Sequence, residues 1–283
     1  MSDAEPTLSV VVPAYEQADT LAETMTSVLS QHDVDLELIV ADHSSADDTY
    51  AVAERFAADP RVRLLHTPAG GGAAANWAAV THEARSEYLK LLPGDDTVLP
   101  GSLARQVALL AQNPAAVLVA GRRRIIDDRG RTIAPRRGLQ GLDARMRGED
   151  AVRQAVRSGT NPFGEPGAVT MRRDALVAAG GWQGDWSYGI DVATYIAVLR
   201  HGHFVRDDGV ASTFRVSSGQ WSVALADRQA AEMADLFAHT SDAVDRVTPD
   251  DVRTGVNRAR RMARMRRLVY RAMALAPRKG GRS

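Results

Sequence analysis

Acidic side chains follow two of the apolar runs in the first hundred residues. Asp42 comes after one run, and the adjacent pair Asp95 and Asp96 comes after another, behind Gly94. Paired carboxylates can hold a hard divalent cation through oxygen ligands, and such a cation neutralises the charge that develops on a departing diphosphate. Structural roles are the alternative, because aspartates also cap helices and occupy solvated turns.

The elements that position these acids form an alternating pattern. Apolar runs at 8–12, 36–40, 62–65 and 88–92 predict four buried strands, and helical patterns lie between them. This alternation indicates βαβ units and a parallel sheet that is covered by helices on both faces. Ligands of such sheets bind outside the carboxyl ends of the strands, which is where the acids lie.

Capping and turn signals mark further elements. Thr20, followed three residues later by Glu23, predicts a helix N-terminus with a capping box. Further along, the pattern predicts a hairpin around Asp128–Gly130, shorter helices and a strand, and two closing helices at 222–245 and 251–275. We therefore divide the chain into residues 1–121, residues 122–220 and a helical extension of residues 221–283.

The composition is that of an ordinary globular protein. Of its 283 residues, 45% are apolar and 25% are charged, which excludes disordered and collagen-like chains. There is no cysteine, so disulfides and thiolate metal sites are excluded. The acidic start is unlike a signal peptide, and the longest apolar run, Ala115–Ala120, is far shorter than the roughly 20 residues that span a bilayer. We therefore expect a cytoplasmic protein.

Two classes of nucleotide-binding enzyme fit the first strand poorly. A nicotinamide dinucleotide site requires G-x-G-x-x-G directly after that strand. A sugar nucleotidyltransferase requires a glycine-rich loop with a basic residue there, and Pro13–Glu16 has neither feature. The glycines at Gly70–Gly72 follow the third strand, where they either contact a phosphate or form a flexible turn into a helix.

Four segments resemble, in the same order, the motifs of a known enzyme family. They run from Leu8 to Glu16, Leu38 to Thr49, Gly72 to Trp77 and Tyr88 to Asp96. The family is the family 2 glycosyltransferases of GT-A fold, an α/β fold in which a Rossmann-like nucleotide-binding sheet merges with a smaller acceptor-binding part. The resemblance implies transfer of a sugar, with inversion, from a UDP- or dTDP-sugar to an acceptor hydroxyl in polysaccharide or glycoconjugate biosynthesis. The C-terminal helices have no counterpart.

The resemblance also implies a donor site at the strand ends. Asp42 would bind the edge of the uracil or thymine, and Tyr15 would lie beside the base or ribose. Asp95, with Asp96 as a second ligand, would bind the Mg²⁺ or Mn²⁺ that bridges the diphosphate, and Gly94 would let the sugar diphosphate approach closely. The complete set of implied donor-binding residues is Pro13, Ala14, Tyr15, Glu16, Asp42, Asn76, Gly94 and Asp95.

The chain departs from the family motifs at four positions. Pro93 replaces the first aspartate of the D-x-D motif, and Ala41 replaces the first acid of the V-D-D motif. His43 stands where the family usually has glycine, and Ala75 where it often has arginine. These changes predict weak metal affinity in the absence of nucleotide, since one carboxylate is missing. They also keep open a non-catalytic descendant that binds nucleotide or glycan.

A further acid lies at the start of a predicted helix at 192–200. In the family, the carboxylate that takes the proton from the acceptor hydroxyl follows a G-G-[FW] stretch and precedes a helix. Gly180–Trp182 resembles that stretch, so the resemblance implies Asp191 as the catalytic base, with Asp185 as the runner-up. The alternative for Asp191 is a helix cap. The aromatic residues around it either form an acceptor platform or pack in the core: Trp182, Trp186 and Tyr188.

The C-terminal extension is strongly basic. Residues 251–283 contain ten arginines, one lysine and one aspartate, a net charge of +10, so the rest of the chain carries −10. An apolar stripe at helical spacing runs from Val252 to Met273. Such a helix can lie on an anionic membrane surface. The alternatives are packing against the acidic remainder of the chain or a dimer contact, and no nucleic-acid-binding module is present.

Overall fold

The computed structural model of the chain describes residues 5–216 and 229–275, with side chains described as far as residue 264. Strands and helices alternate through the first 111 residues, as the apolar pattern predicts. In chain order they are β1 (Leu8–Ala14), α1 (Leu21–Leu29), β2 (Leu36–Asp42), α2 (Thr49–Glu54), β3 (Val62–His66), α3 (Gly72–His82), β4 (Tyr88–Leu91) and α4 (Ser102–Ala111).

The predicted hairpin is present in the second part of the chain, whereas β7 and most of the long strand β9 were not predicted. A short 3-10 helix, Pro166–Ala168, leads into β8. The elements are β5 (Ala116–Ile126), β6 (Thr132–Arg137), β7 (Arg145–Arg147), α5 (Gly148–Ser158), β8 (Val169–Arg172), α6 (Arg173–Ala178), α7 (Ile190–Leu199), β9 (His203–Arg215), α8 (Gln229–Ala243) and α9 (Pro249–Leu275).

All nine described strands form one sheet, with the order β3-β2-β1-β4-β8-β5-β9-β7 and β6 paired to β5. The first four strands are parallel to one another. Strand β8 is antiparallel to both of its neighbours, β4 and β5. The division predicted at residue 121 falls inside β5, so the two predicted halves share a single sheet.

Hydrophobic cores lie on both faces of the sheet. Successive side chains of a strand point to opposite faces, and in β1 Val10 and Val12 pack with α1 and α4, while Val11 packs with α3 and α7. All seven residues of β1 and of β2 are buried. Burial on both faces explains why these strands are continuous apolar runs without polar alternation.

The predicted capping box at the start of α1 does not form. Thr20 is the N-cap residue, but its hydroxyl donates to the Gly94 carbonyl at 2.9 Å. The Glu23 carboxylate accepts a hydrogen bond from Arg215, 192 residues away, at 2.6 Å. Thr20 therefore binds the turn after β4, and Glu23 binds the last residue of β9. These tertiary partners take the place of the local hydrogen bonds of a capping box.

Helix α9 packs against α5 and α8 through the first half of its length. The buried Asp251 carboxylate accepts hydrogen bonds from Arg153 at 2.8 Å and from Arg157 at 2.5 Å. Burial opposes ionisation of Asp251, but these hydrogen bonds and two from Thr248 outweigh it and hold its pKa well below the usual range. A Cβ at Gly255 would lie 2.0 Å from the Val156 carbonyl oxygen, so only glycine permits this close packing.

The predicted packing alternative is therefore correct for the first half of α9. The structure does not describe side chains beyond residue 264 or any part of the segment 217–228. The start of the helix predicted at residue 222 therefore lies outside the described residues. Among the described helices, none combines the length and apolar character that crossing a membrane requires.

Candidate functional site

The carboxyl ends of β1, β2 and β4 lie side by side at one edge of the sheet. Ala14, the last residue of β1, is in register with Asp42, the last residue of β2. On the other side of β1, the Leu92 amide donates to the Val11 carbonyl at 2.9 Å, which keeps the chain after β4 beside β1. The sequence-predicted donor residues are thereby brought to a common edge.

Asp42 carries a covered carboxylate with one unsatisfied oxygen. The residue is 4% exposed, and its Oδ1 atom has no hydrogen-bond partner among the described residues. Its Oδ2 atom lies 3.5 Å from His66 Nδ1, and the His66 ring stacks on Tyr50 with centroids 3.8 Å apart. Tyr15 is the exposed aromatic residue of this region, with 53% of its surface accessible. A ligand N–H would satisfy the Asp42 oxygen.

His43 fastens the glycine-rich loop to the end of β2. Its Nε2 atom lies 2.9 Å from the Gly70 carbonyl, which can only accept, so Nε2 carries the proton. Its Nδ1 atom lies 2.9 Å from the Thr67 hydroxyl. The three glycines Gly70–Gly72 all have positive φ, from +63° to +103°, a backbone that other residues rarely adopt. The histidine that replaces the family glycine thus holds this loop in place.

Asn76 joins α3 to the same edge. Its side-chain oxygen accepts a hydrogen bond from the Thr67 hydroxyl at 3.2 Å, and its amide nitrogen lies 3.5 Å from the Ala14 carbonyl. Asn76 therefore orients the backbone at the end of β1. Two further residues were predicted to bind the donor. Pro13 lies in β1, and Glu16 directly follows Tyr15 and adopts a positive φ of 51°.

Gly94 lies close to another side chain of the protein, that of Gln17. A Cβ at this position would lie 2.2 Å from Gln17 Oε1, so a larger residue would displace the end of the Gln17 side chain. The Gly94 carbonyl also accepts hydrogen bonds from Thr20 and from Thr24. These contacts fix the turn that precedes Asp95.

The two adjacent aspartates after Gly94 have different environments. Asp96 is 1% exposed, and its Oδ1 atom accepts a hydrogen bond from the Arg215 backbone N–H at 2.8 Å. Burial, followed by the charge of Asp95, raises the pKa of Asp96 well above its usual value. Asp95 is only partly buried, and its backbone carbonyl accepts a hydrogen bond from Arg215 Nε at 2.9 Å. The Oδ2 atom of Asp96 is buried and has no hydrogen-bond partner among the described residues.

The protein's own ligands for a cation are few at this edge. Within residues 5–216 and 229–275, no group of three or more histidine or acidic side chains is arranged to hold a metal ion. Asp95 is the more exposed of the two adjacent carboxylates, and an octahedral shell around a cation there would need oxygen atoms from a diphosphate and from water. The Arg215 guanidinium donates hydrogen bonds to the backbone carbonyl of Asp95 and to the Glu23 carboxylate. It also donates to the backbone carbonyls of Asp127 and Asp128.

Asp191 occupies the second position of α7. The N-cap is Gly189, so the predicted capping alternative for Asp191 is wrong. Its Oδ2 atom accepts a hydrogen bond from the Asn161 amide at 2.8 Å. Burial among protein atoms and then the negative charge of Glu165 raise the pKa of Asp191 to about 7. The runner-up Asp185 is exposed, so it lacks this desolvation.

Three polar residues near Asp191 were missed by the sequence analysis. Asn161 donates to Asp191, Glu165 acts on it through its charge, and Arg123 forms an ion pair with Glu165. Asn161 and Glu165 lie in the connection between α5 and β8, and Arg123 lies in the arginine-rich strand β5. Only the unusual density of Asn, Pro and Gly between 161 and 167 marks this segment in the sequence.

The aromatic residues near Asp191 are mainly structural. Trp182 is buried, packs edge-on against Trp77 and donates to the Thr81 hydroxyl at 2.8 Å. Trp186 donates to Asp235 on α8 at 2.8 Å. Trp182 is therefore a core residue, as the alternative in the sequence analysis allows.

Comparison with solved structures shows the fold. Residues 1–349 of TarS from S. aureus, in complex with UDP-GlcNAc, superpose with a TM-score of 0.67 at 14% identity, over 83% of this chain and 66% of that one. The mannosyltransferase PcManGT from Pyrobaculum calidifontis, in complex with GDP-Man and Mn²⁺, gives a TM-score of 0.61 at 19% identity, over 98% of this chain and 82% of that one. The predicted GT-A fold with C-terminal helices is confirmed.

Sequence comparison identifies the family. An uncharacterised protein of Mycobacterium tuberculosis is 30% identical over 205 residues, 70% of this chain and 64% of that protein. The succinoglycan biosynthesis protein ExoO of Rhizobium meliloti is 37% identical over 105 residues, 37% of this chain and 30% of that protein. The chain thus spans less than two thirds of each relative. The sequence model described as Glycosyl transferase family 2 matches residues 9–178, and the chain belongs to this family of glycosyltransferases.

Proposed function

We propose that the chain transfers a sugar from a UDP- or dTDP-sugar to an acceptor hydroxyl, with inversion at the anomeric carbon, in polysaccharide or glycoconjugate assembly. Membership of the family supports a nucleotide-sugar donor. Among the relatives, WfgD of Escherichia coli is named a UDP-Glc β-1,3-glucosyltransferase, and it is 27% identical over 133 residues, 46% of this chain and 52% of that protein. ExoO is named for succinoglycan biosynthesis.

The observation that carries the proposal is the unsatisfied carboxylate of Asp42. Its Oδ1 atom is covered and lacks a partner within the described residues, and its register partner Ala14 directly precedes the exposed Tyr15. A buried acceptor without a partner is costly, about 1–3 kcal/mol, unless a ligand satisfies it. The N3–H of uracil or thymine is a donor of the required kind.

The acceptor half of the reaction falls to Asp191. With its pKa raised to about 7, the Asp191 carboxylate holds a proton more strongly than an ordinary aspartate does. It can therefore take the proton from the acceptor hydroxyl as that oxygen attacks the anomeric carbon and the nucleoside diphosphate leaves. A divalent cation held through Asp95 would supply charge neutralisation at the departing diphosphate.

Thermal unfolding with nucleotides tests the donor site. We expect UDP or dTDP to raise the Tm of the wild-type chain in the presence of Mn²⁺, because a ligand that binds only the folded state stabilises it. At a nucleotide concentration 100 times the dissociation constant, this stabilisation is about 2.7 kcal/mol. GDP should raise it less. Asp42→Asn should reduce the preference for the pyrimidine nucleotides, and Asp95→Ala should remove the effect of Mn²⁺. The control is Asp242→Ala, which alters an exposed acid on α8. No shift with any nucleotide would refute the proposed donor site.

We further propose that α9 contacts an anionic membrane surface. Its inward face is buried through Asp251, Ala259 and Ala263. Its outward face carries exposed arginines that have no ion pair within the described part of the chain. Arginines on the free face of a helix are attracted to anionic headgroups, at about 1 kcal/mol per residue near the surface. These arginines are Arg260, Arg261 and Arg264.

Vesicle sedimentation tests this contact. The wild-type chain should sediment with phosphatidylglycerol vesicles and stay in solution with phosphatidylcholine vesicles. Replacing Arg260, Arg261 and Arg264 by glutamine should release the chain. A control variant removes the same charge from exposed positions elsewhere, namely Arg129, Arg136 and Arg145. Equal sedimentation of the two variants would contradict a membrane contact through α9.

A further inference from the structure

The segment Asn161–Gly167 runs past the Asp191 carboxylate and is bonded to it at its start. The Asn161 amide nitrogen lies 2.8 Å from Asp191 Oδ2 and 2.8 Å from the Gly164 carbonyl. The Asn161 side-chain oxygen accepts hydrogen bonds from the Phe163 and Gly164 N–H groups. One side chain thus shapes the turn and connects it to the acid.

The middle of this segment contains Glu165, which is bound to a residue of β5. The Glu165 carboxylate forms an ion pair with Arg123, whose side chain is 15% exposed. Arg123 reaches it through a gap between two glycines with positive φ, since a Cβ at Gly138 would lie 2.7 Å from its guanidinium and one at Gly164 would lie 3.3 Å away. Larger residues at these glycines would displace Arg123.

The end of the segment is fixed by a buried lysine of β4. Lys90 Nζ donates to the Gly167 carbonyl at 2.8 Å and to the Val169 carbonyl at 2.9 Å. Lys90 is fully buried, and this burial lowers its pKa to about 7. The segment is therefore anchored on both sides of Glu165, by Asn161 and by Lys90, so Glu165 keeps its position relative to α7.

We propose that Glu165 is a positioning residue for Asp191: the Asn161 amide joins the Asp191 carboxylate to the Gly164 carbonyl, and the ion pair with Arg123 holds the Glu165 carboxylate at this turn. From there its negative charge acts on the Asp191 carboxylate. This inference rests on the proposed role of Asp191 as the base. It assigns a function to the segment Asn161–Gly167, which would otherwise be a plain connection between α5 and β8.

The electrostatic surroundings of Asp191 support this role. Burial acts first and Glu165 second to raise its pKa, whereas the Val192 N–H, the Asn161 amide and the charge of Arg123 act in the opposite direction. The other titratable group that interacts with Asp191 is the buried phenol of Tyr195, one turn along α7. Burial and the charges of Asp191 and Glu165 raise the pKa of Tyr195 well above its usual value, so it stays neutral.

Carboxyl ¹³C NMR of the full chain measures proton uptake at Asp191 directly. The signal is identified by its loss in Asp191→Asn, and its midpoint in the wild type is expected near pH 7. Glu165→Gln should lower the midpoint by about one unit, because a like charge is removed. Arg123→Gln should raise it, because an opposite charge is removed. An unchanged midpoint in Glu165→Gln, or shifts of the same sign in both variants, would overturn the proposal.

Two further variants separate charge from packing. Glu165→Asp keeps the charge and should return the midpoint towards the wild-type value. Glu83→Gln removes a carboxylate from a comparable ion pair, with Arg63 at 2.7 Å on the edge strand β3, and should leave Asp191 unchanged. If Glu165→Gln does not fold, the upward shift in Arg123→Gln carries the test, and its absence overturns the proposal.

The pH profile of transfer distinguishes this inference from the proposed function. If Asp191 is the base, the low-pH limb of kcat/KM should move with the NMR midpoint in each variant. An NMR shift without a shift of this limb would refute Asp191 as the base and leave the effect of Glu165 intact. An unchanged NMR midpoint would overturn the effect of Glu165 whatever the activity.

Discussion

Replacing Asp191 by asparagine should stabilise the protein in a pH-dependent way. The folded state holds a proton on Asp191 up to about pH 7, whereas the unfolded chain releases it near the ordinary aspartate value of 3.8. Between these values the folded state binds more protons, so raising the pH lowers the free energy of unfolding. This contribution is fully present below the unfolded pKa and is lost as the pH rises through the folded pKa.

The magnitude follows from the pKa difference. Each unit corresponds to about 1.4 kcal/mol, so raising the pH from about 5 to above 7 removes about 3 kcal/mol from the wild-type chain through Asp191. Asparagine does not ionise and is exempt from this loss. Its amide can still accept the hydrogen bond from Asn161, and any cost of its packing is the same at both pH values.

Urea unfolding of both proteins at about pH 5 and about pH 8.5 measures this effect. The stability of Asp191→Asn relative to wild type should rise by about 3 kcal/mol between the two conditions. Because the comparison is a difference of differences, other titrating groups and pH-independent packing costs cancel. A relative stability that is the same at both pH values would refute the argument, since Asp191 would then titrate as an ordinary surface aspartate.

Three further predictions concern the contacts around the site and α9. Gly94→Ala should destabilise the protein by no more than about 1 kcal/mol, because the clashing atoms belong to the end of the flexible Gln17 side chain, and Gln17→Ala should relieve that loss, as measured by thermal unfolding of the single and double variants. Asp251→Asn should cost about 2 kcal/mol at neutral pH; this cost should begin to shrink as the pH falls below the ordinary aspartate value of 3.8 and vanish only below the much lower folded pKa, because the carboxylate stabilises the fold only while it is ionised. His43→Ala should speed amide exchange in Gly70–Gly72 without changing exchange in β1, and equal protection would contradict the contact between His43 and the loop.

The sequence alone determined the parallel half of the sheet and the edge at which Asp42 and Asp95 come together. The apolar runs of β1 to β4 are continuous because both faces of these strands are buried, and this pattern is visible without tertiary information. Asp42 and Asp95 follow such runs, and the carboxyl ends of parallel strands meet at one edge, so their proximity follows from the pattern. The hairpin of β5 and β6 was predicted from its turn residues for a similarly local reason.

Only the tertiary structure decided which polar side chains act together. Asp95 and Asp96 are adjacent in sequence, yet the turn after β4 buries Asp96 against the backbone of Arg215, which arrives from β9 about 120 residues later. Glu165 and Arg123 come from segments 42 residues apart and meet beside Asp191 because β5, β8 and α7 pack together.

The physical reason is the range of the forces involved. Burial along a strand is a local property that the residue types record, so it can be recognised from the sequence. The direction of one carboxylate, and with it the pKa of Asp191, depends on desolvation and on charges such as Glu165 that the chain brings near from distant positions. These contacts join segments that are far apart in the chain, so no local pattern in the sequence records them.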